Sequence, residues 1–496
     1  MAVVPLTAGA ARAATPVCLS GALQYDYLSA EEGPAKPART KPAREAGVEL
    51  WGSEKATDAP HLLTSGLTRT DNGGFNLCYA PTTTTTMSTM WVRFNAQYLG
   101  LWRVTDNSGR LYTFDSPTRS NVSANTDLGT IKAPASASRA WHAFDTVNTL
   151  YWNRNNPTST CWTAKETDNN ACTGLTIHWG NEDYGTYFDK GTVQLSAADP
   201  DSEHITLHET GHFFMWALYG RTFPGVDNCT PHYVNVASSA TCAWTEGFAD
   251  VAASYAIGEY PPRFVFNNGG STEFTYGNGW GVGDTVQGNV GGSLIDLWYH
   301  HDAGWAKTID LLAWKRPSTF AEYFNLARPA ASPPLATTGA VLDKLLKHAI
   351  DYGPTIVGDG KYHTLTNGSG LALEHANGCT IPRDPVNVSL ATLDTSRPQQ
   401  RWKVDPNSDG TVTISSACPT PLFLTPQGNS QSYVTALPAY RGGPMKWKVI
   451  KANGALTFTG VEGYSAIDSM GVSPGAIVTT KPTPSRENSQ SWVAMP

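Results

Sequence analysis

His208-Glu209-Thr210-Gly211-His212 is the stretch of this chain best equipped for chemistry. On an α-helix, two histidines four residues apart share one face, a turn apart, and both imidazoles can ligate one metal ion. Glu209 falls on the adjoining edge, within reach of a water on that ion. The neighbouring residues predict the helix. Asp199 reads as an N-cap with Pro200 at the first helical position, and Asp201 and Glu203 put negative charge in the first turn. Ile205, Leu207, Phe213, Phe214, Met215, Trp216 and Leu218 make the segment almost wholly apolar, and Gly220 is its expected stop. Two core histidines and a salt-bridged Glu would be the plainer reading. A charge in so apolar a helix is costly to bury without a partner, which favours the metal.

A third ligand must come from elsewhere. Position 215 is Met and position 218 is Leu, so no third His follows six residues after His212. Trp244-Thr245-Glu246-Gly247-Phe248-Ala249-Asp250 offers two carboxylates four residues apart, on a segment that reads as a helix ending at Gly258. This pairing with the upstream motif resembles the gluzincin metallopeptidases, the group that includes thermolysin, over roughly residues 200–300. The resemblance implies an α+β zincin-type domain with one catalytic zinc ion held by His208, His212 and Glu246. Two His and one Glu leave the fourth position of zinc to water. It also implies Glu209 as general base and Asp250 behind a ligand His, orienting it through the free ring nitrogen. The oxyanion donor stays open among Tyr255, Tyr299, His300 and His301. Gly191–Ser196 is expected to be an edge strand that aligns substrate backbone. The gap from His212 to Glu246 exceeds the thermolysin-like connection, and Cys229 and Cys242 lie inside it as a candidate disulfide.

At 496 residues the chain is too long for one core and predicts several domains. Hydrophobic content of 40% and charged content of 16% mark an ordinary folded composition. A net charge of −7 argues against a nucleic-acid surface. No apolar run is long enough to span a membrane. Residues 1–14 resemble the tail of a secretory signal, with Ala11-Arg12-Ala13 in the cleavage pattern. The eight cysteines are even in number and fall into local couples: Cys18 and Cys78, Cys161 and Cys172, Cys229 and Cys242, Cys379 and Cys418. None forms C-x-x-C, which points to disulfides and a secreted, extracellular protein.

These readings divide the chain into four parts. After the partial signal come residues 15–138, a β-rich accessory domain. Val48–Trp51, Met90–Phe94 and Leu111–Phe114 read as short strands, and Thr68–Phe75 reads as a hairpin. The sequence pattern there is similar to carboxypeptidase-regulatory or transthyretin-like β-sandwiches. Residues 139–355 form the peptidase domain. It opens with an amphipathic helix at Trp141–Trp152 and strands at Leu175–Trp179 and Thr192–Ser196. A Gly/Asn-rich loop at 267–284 and a helix at Asn289–His301 follow, then helices near 305–315, 318–328 and 336–351.

Residues 358–496 carry an internal repeat, with Trp402, Trp447 and Trp492 evenly spaced. The repeat, with Q-x-W at Gln400 and Gln490, is similar to the ricin-type β-trefoil lectins. That implies a candidate sugar contact at Asp468, although Val478–Lys481 lacks an aromatic ring. Glu374 holds the equivalent place in the first repeat, and Thr425, with Tyr433 and Tyr440 nearby, in the second. Taken together, the resemblances imply a secreted zinc metalloendopeptidase acting on protein or glycoprotein substrates, with a carbohydrate ligand for the trefoil. The alternative is a carbohydrate-binding adhesin on a vestigial peptidase fold. An aminopeptidase fits less well, because Gly191–Ser196 has no Glu to clamp a substrate amine.

Overall fold

The computed structural model describes residues 15–169, 172–352, 356–426, 434–439, 446–452, 455–461, 465–469, 471–481 and 488–495. The signal-like residues 1–14, and Tyr433 and Tyr440, lie outside them. The chain forms two compact units, 1–337 and 338–496.

The first unit holds three main sheets. Val17–Leu28 pairs with Thr126–Lys132, Ala38–Pro42 and Gly74–Tyr79, while Gly47–Ser53 lies between Met87–Asn95 and His61–Leu67 in a five-stranded sheet. The segment expected as a hairpin, 68–75, is instead a turn that carries the chain from His61–Leu67 in one sheet to Gly74–Tyr79 in another, with Gly73 at φ 69°. In the third sheet the order is Tyr187–Asp189, Thr192–Leu195, Leu175–Trp179, Trp102–Thr105, Gln97–Tyr98. That sheet crosses the boundary expected near residue 138. Two of its strands come from the segment read as accessory, and Trp102 is buried against Phe144, Tyr151 and Trp162. So large an aromatic surface cannot leave water without tying the two segments together. The β-rich part and the helical part share one unit.

Helices α1, Ser138–Asn153, and α2, Glu203–Leu218, pack on this sheet, with α3, Ala240–Ile257, against α2, and α4, Gln287–His300, against α3. Helix α2 starts later than expected. Asp199–Asp201 forms a separate 3₁₀ turn, and Ser202 is the N-cap, its hydroxyl accepting from the Ile205 N–H at 3.1 Å. Helix α3 ends at Gly258 in the left-handed region, as expected. The loop expected at 267–284 contains a short strand, Ser271–Glu273, paired with Arg263–Val265. Two of the later helices are shorter than expected: 318–328 is a single helical turn followed by a π-helical turn, and 336–351 is helical only over Ala340–Lys347.

Small residues let these helices touch. A Cβ on Gly211 would lie 3.1 Å from the Ala249 Cα, and one on Gly247 would lie 2.6 Å from the Gln287 carbonyl. Gly291 meets Gly247 in the same way. These contacts bring the backbones of α2, α3 and α4 together.

The second unit is β-rich and repeats itself. Trp402, Trp447 and Trp492 are fully buried. Each indole N–H donates to a main-chain carbonyl 23 to 29 residues earlier: Leu373 at 2.8 Å, Leu424 at 3.0 Å and Ile467 at 3.3 Å. Around them Leu365, Val388, Ile414, Phe458 and Val478 complete a single apolar core. All four cysteine couples are disulfides. Among the described residues no helix is long and apolar enough to cross a membrane.

Candidate metal centre

The close helix crossings converge on the motif residues. His208 and His212 lie on one face of α2, with their Nε2 atoms 3.1 Å apart. Across the Gly211–Ala249 contact, Glu246 Oε2 lies 3.3 Å from His208 Nε2 and 3.2 Å from His212 Nε2. Among the described residues these three side chains are the one group able to hold a metal ion. Ligands of a tetrahedral zinc ion at about 2.0–2.1 Å sit about 3.3 Å from one another, so the spacing fits. The electrostatics fit as well. Glu246 Oε2 is buried and has no hydrogen-bond partner. Burial alone would push its pKa up, yet His212 and His208 hold it well below the usual range. Burial lowers the pKa of His208, but the Asp250 and Glu246 carboxylates outweigh this and raise it. The pocket is built to stabilise positive charge between three lone pairs.

Asp250 takes the place expected of it, its Oδ1 lying 2.8 Å from His208 Nδ1. Behind it Gln287, brought close by the Gly247–Gly291 contact, donates to Asp250 Oδ2 at 3.0 Å. Glu209 is buried beside the triad, with Oε2 unpartnered. Burial raises its pKa against the opposing pull of His208 and His212, and Glu246 and Asp199 add to the rise. Such a carboxylate accepts a proton readily.

A cleft opens on both sides of Glu209. One half, about 690 Å³, is lined by Tyr187, Phe188, Trp216, Phe223 and Arg221. The other, about 480 Å³, is lined by Ile205, Tyr233, Phe264, Phe266 and Asp199. His208, Glu209 and His232 border both halves. The edge strand beside the cleft is Tyr187–Asp189, antiparallel to Thr192–Leu195. The strand expected at the edge, Gly191–Ser196, is instead flanked on both sides.

The expected oxyanion donors are elsewhere. Tyr255, Tyr299 and His300 belong to an aromatic cluster with Tyr260, Trp298 and Trp305 at the far end of α3 and α4, and His301 caps α4. None of the four lines the cleft. His232 does, from the loop closed by Cys229–Cys242. Its Nδ1 meets Gln287 Oε1 at 2.9 Å, and its Nε2 lies 3.8 Å from Glu246 Oε2. Nothing periodic marks His232 in sequence. The only sequence signal available was its place between two cysteines in the connection that leads to Glu246.

In the second unit, Asp468 is fully buried. Its Oδ2 accepts from Ser489 Oγ and Gln490 Nε2, both at 3.2 Å, and lies 3.3 Å from Lys481 Nζ. Glu374 has the matching role in the first repeat, bonded to Gln400 at 2.6 Å and Arg397 at 3.0 Å.

A His-His-Glu triad able to hold a metal ion thus lies beside a buried carboxylate, in a cleft bordered by a sheet edge. Residues 18–140 match the mycolysin middle domain, and residues 154–349 match the mycolysin C-terminal domain. The two matches link the chain to a protease family. No curated protein matches. Three solved structures are similar to part of the chain. The designed threefold-symmetric protein ThreeFoil has 21% identity and a TM-score of 0.25, with 28% of this chain and 99% of that one covered. The Macrolepiota procera ricin B-like lectin, solved with lactose, has 17% identity and a TM-score of 0.24 over 28% and 99%. The exo-β-1,3-galactanase of Clostridium thermocellum has 16% identity and a TM-score of 0.25 over 29% and 31%.

Proposed function

We propose that the first unit is a secreted zinc metalloendopeptidase. The observation that carries this is the convergence of three metal-ligating atoms from two helices beside the buried, unpartnered Glu209, on the floor of an open cleft. His208, His212 and Glu246 would hold the ion. When bound, zinc supplies Lewis acidity and brings the pKa of a coordinated water to about 7. Glu209 takes a proton from the attacking water and returns it to the leaving amine. Asp250 fixes the His208 ring, and Gln287 fixes Asp250. His232, its Nδ1–H donating to the same Gln287, borders the cleft and serves as donor to the developing oxyanion through Nε2 when both ring nitrogens carry protons. The Tyr187–Asp189 edge holds the peptide in extended form.

We read the second unit as a β-trefoil, supported by its threefold set of buried Trp residues and their carbonyl partners. Its proposed ligand is carbohydrate on a glycosylated substrate; Asp468, expected as the sugar contact, is fully buried and would brace Gln490 and Lys481 instead of touching the sugar. Four disulfides are consistent with an extracellular protein.

The decisive variant is Glu209→Gln. It should retain about one zinc per chain, while peptide release from a mucin-like glycoprotein falls by several orders of magnitude. Undiminished turnover would remove Glu209 from the mechanism. Folded wild-type protein without zinc would favour the adhesin reading.

A further inference from the structure

Asp199 stands out among the buried carboxylates around α2. Asp201, two residues on, is paired with Lys36 at 2.8 Å and Arg139 at 2.7 Å. Glu203 has Lys41 and His142, and Glu259 has Arg263 and His204. Asp199 is buried equally well, yet among the described residues it has no cation. Its donors are all neutral: Asn267 Nδ2 at 2.6 Å to Oδ1, and the Thr186 hydroxyl with the Ser196 N–H to Oδ2. A buried carboxylate without a counter-charge is costly unless something supplies one. Asp199 also lines the smaller half of the cleft, whose other walls include Ile205, Phe264, Phe266 and Tyr233. Phe266 and Tyr233 are themselves exposed, at 41% and 58%, although large and aromatic. A negative floor beneath aromatic walls suits a long apolar stem ending in a cation.

We infer that this half of the cleft is a specificity pocket for a lysine or arginine side chain flanking the scissile bond, with Asp199 as its anionic end. The opposite half, with Phe188, Trp216 and Phe223, takes an apolar neighbour. The inference rests on the peptidase reading and deepens it. Asp199 is a recognition residue, not a catalytic one.

The test is a peptide series of one sequence, with Lys, Arg, norleucine or Glu at each position flanking the cleaved bond. Norleucine matches the lysine stem without its charge. At one position wild-type protein should favour Lys and Arg over norleucine by roughly tenfold or more in kcat/KM, with Glu worst. Asp199→Asn should bring the Lys to norleucine ratio of kcat/KM, and of binding, to about one while holding zinc. Phe266→Leu, which leaves every Asp199 hydrogen bond in place, should reduce the preference severalfold. Equilibrium binding of the Lys and norleucine peptides to Glu209→Gln protein separates recognition from turnover. Tighter binding of the Lys peptide there, with no cleavage by wild type, would overturn the peptidase reading and keep the pocket. Equal use of Lys and norleucine at every position, in cleavage and in binding, would overturn the pocket and leave the peptidase.

Discussion

At the residue scale the candidate centre works through one connected line of polar atoms: His208 to Asp250, Asp250 to Gln287, Gln287 to His232. Gln287 therefore braces a candidate metal ligand through Asp250 with its amide N–H, and the proposed oxyanion donor with its carbonyl. Replacing it with Leu keeps its bulk and removes both bonds. The expected result is a loss of about 10–100-fold in zinc affinity, the usual effect of removing an outer partner of a ligand. A further drop in kcat should remain at saturating zinc, because His232 is no longer oriented. His232→Gln should show only the second effect. If Gln287→Leu left both zinc affinity and kcat unchanged, the line would be decorative. His208 and Asp250 were legible in the sequence as candidates, His208 from helical spacing and Asp250 from the family resemblance. Gln287 and His232 were not, since what places them is the meeting of a loop with a third helix.

Those meetings are decided at the scale of the element, by glycine. In the sequence, Gly211, Gly247 and Gly291 look like weak points of three helices, since each forfeits helix propensity. In the structure they are where α2 meets α3 and α3 meets α4. A methyl on Gly247 would press on the Gln287 carbonyl and the Gly291 nitrogen, both main chain and unable to step aside. Gly247→Ala should therefore destabilise the first unit by about 1–3 kcal/mol, despite the better helix propensity of Ala. The same strain should lower zinc affinity, because Glu246 and Asp250 flank the contact. Thermal unfolding with and without zinc checks this, and an unchanged or raised Tm would show that the helices have room to part. The apolar runs and end signals of α2 and α3 predicted the helices themselves. The edge strand escaped that reading because Tyr187–Asp189 is only three residues long and carries no alternation to distinguish it from a loop.

On the scale of the whole first unit, the β-rich segment belongs to the body that carries the candidate metal centre. Glu31, from the loop after its first strand, accepts from the Glu203 N–H at 2.6 Å at the start of α2, and its Oε1 is 3.4 Å from His204 Nδ1. Glu259, just beyond α3, lies 3.0 Å from His204 Nε2. His204 thus sits buried between carboxylates from two distant parts of the chain, on the helix that carries the metal ligands. Burial depresses its pKa, but Glu259 and Glu31 more than reverse this and raise it. Burial likewise pushes Glu259 up, and His204 with Arg263 brings it down to about 2. The two shifts have opposite signs in pH. The raised His204 contributes stability that is complete below its unfolded pKa of about 6.5 and disappears as pH rises through its folded value. The depressed Glu259 contributes above its unfolded pKa of about 4.3, and that contribution fades as pH falls toward 2. The network is strongest between those limits, so His204→Gln should cost most near pH 5.5 and least near pH 9. Denaturant midpoints of the full chain at the two pH values measure the difference. A penalty equal at both would mean that His204 is held by packing alone, and that its charge does nothing to bind the β-rich segment to the helix beneath the cleft.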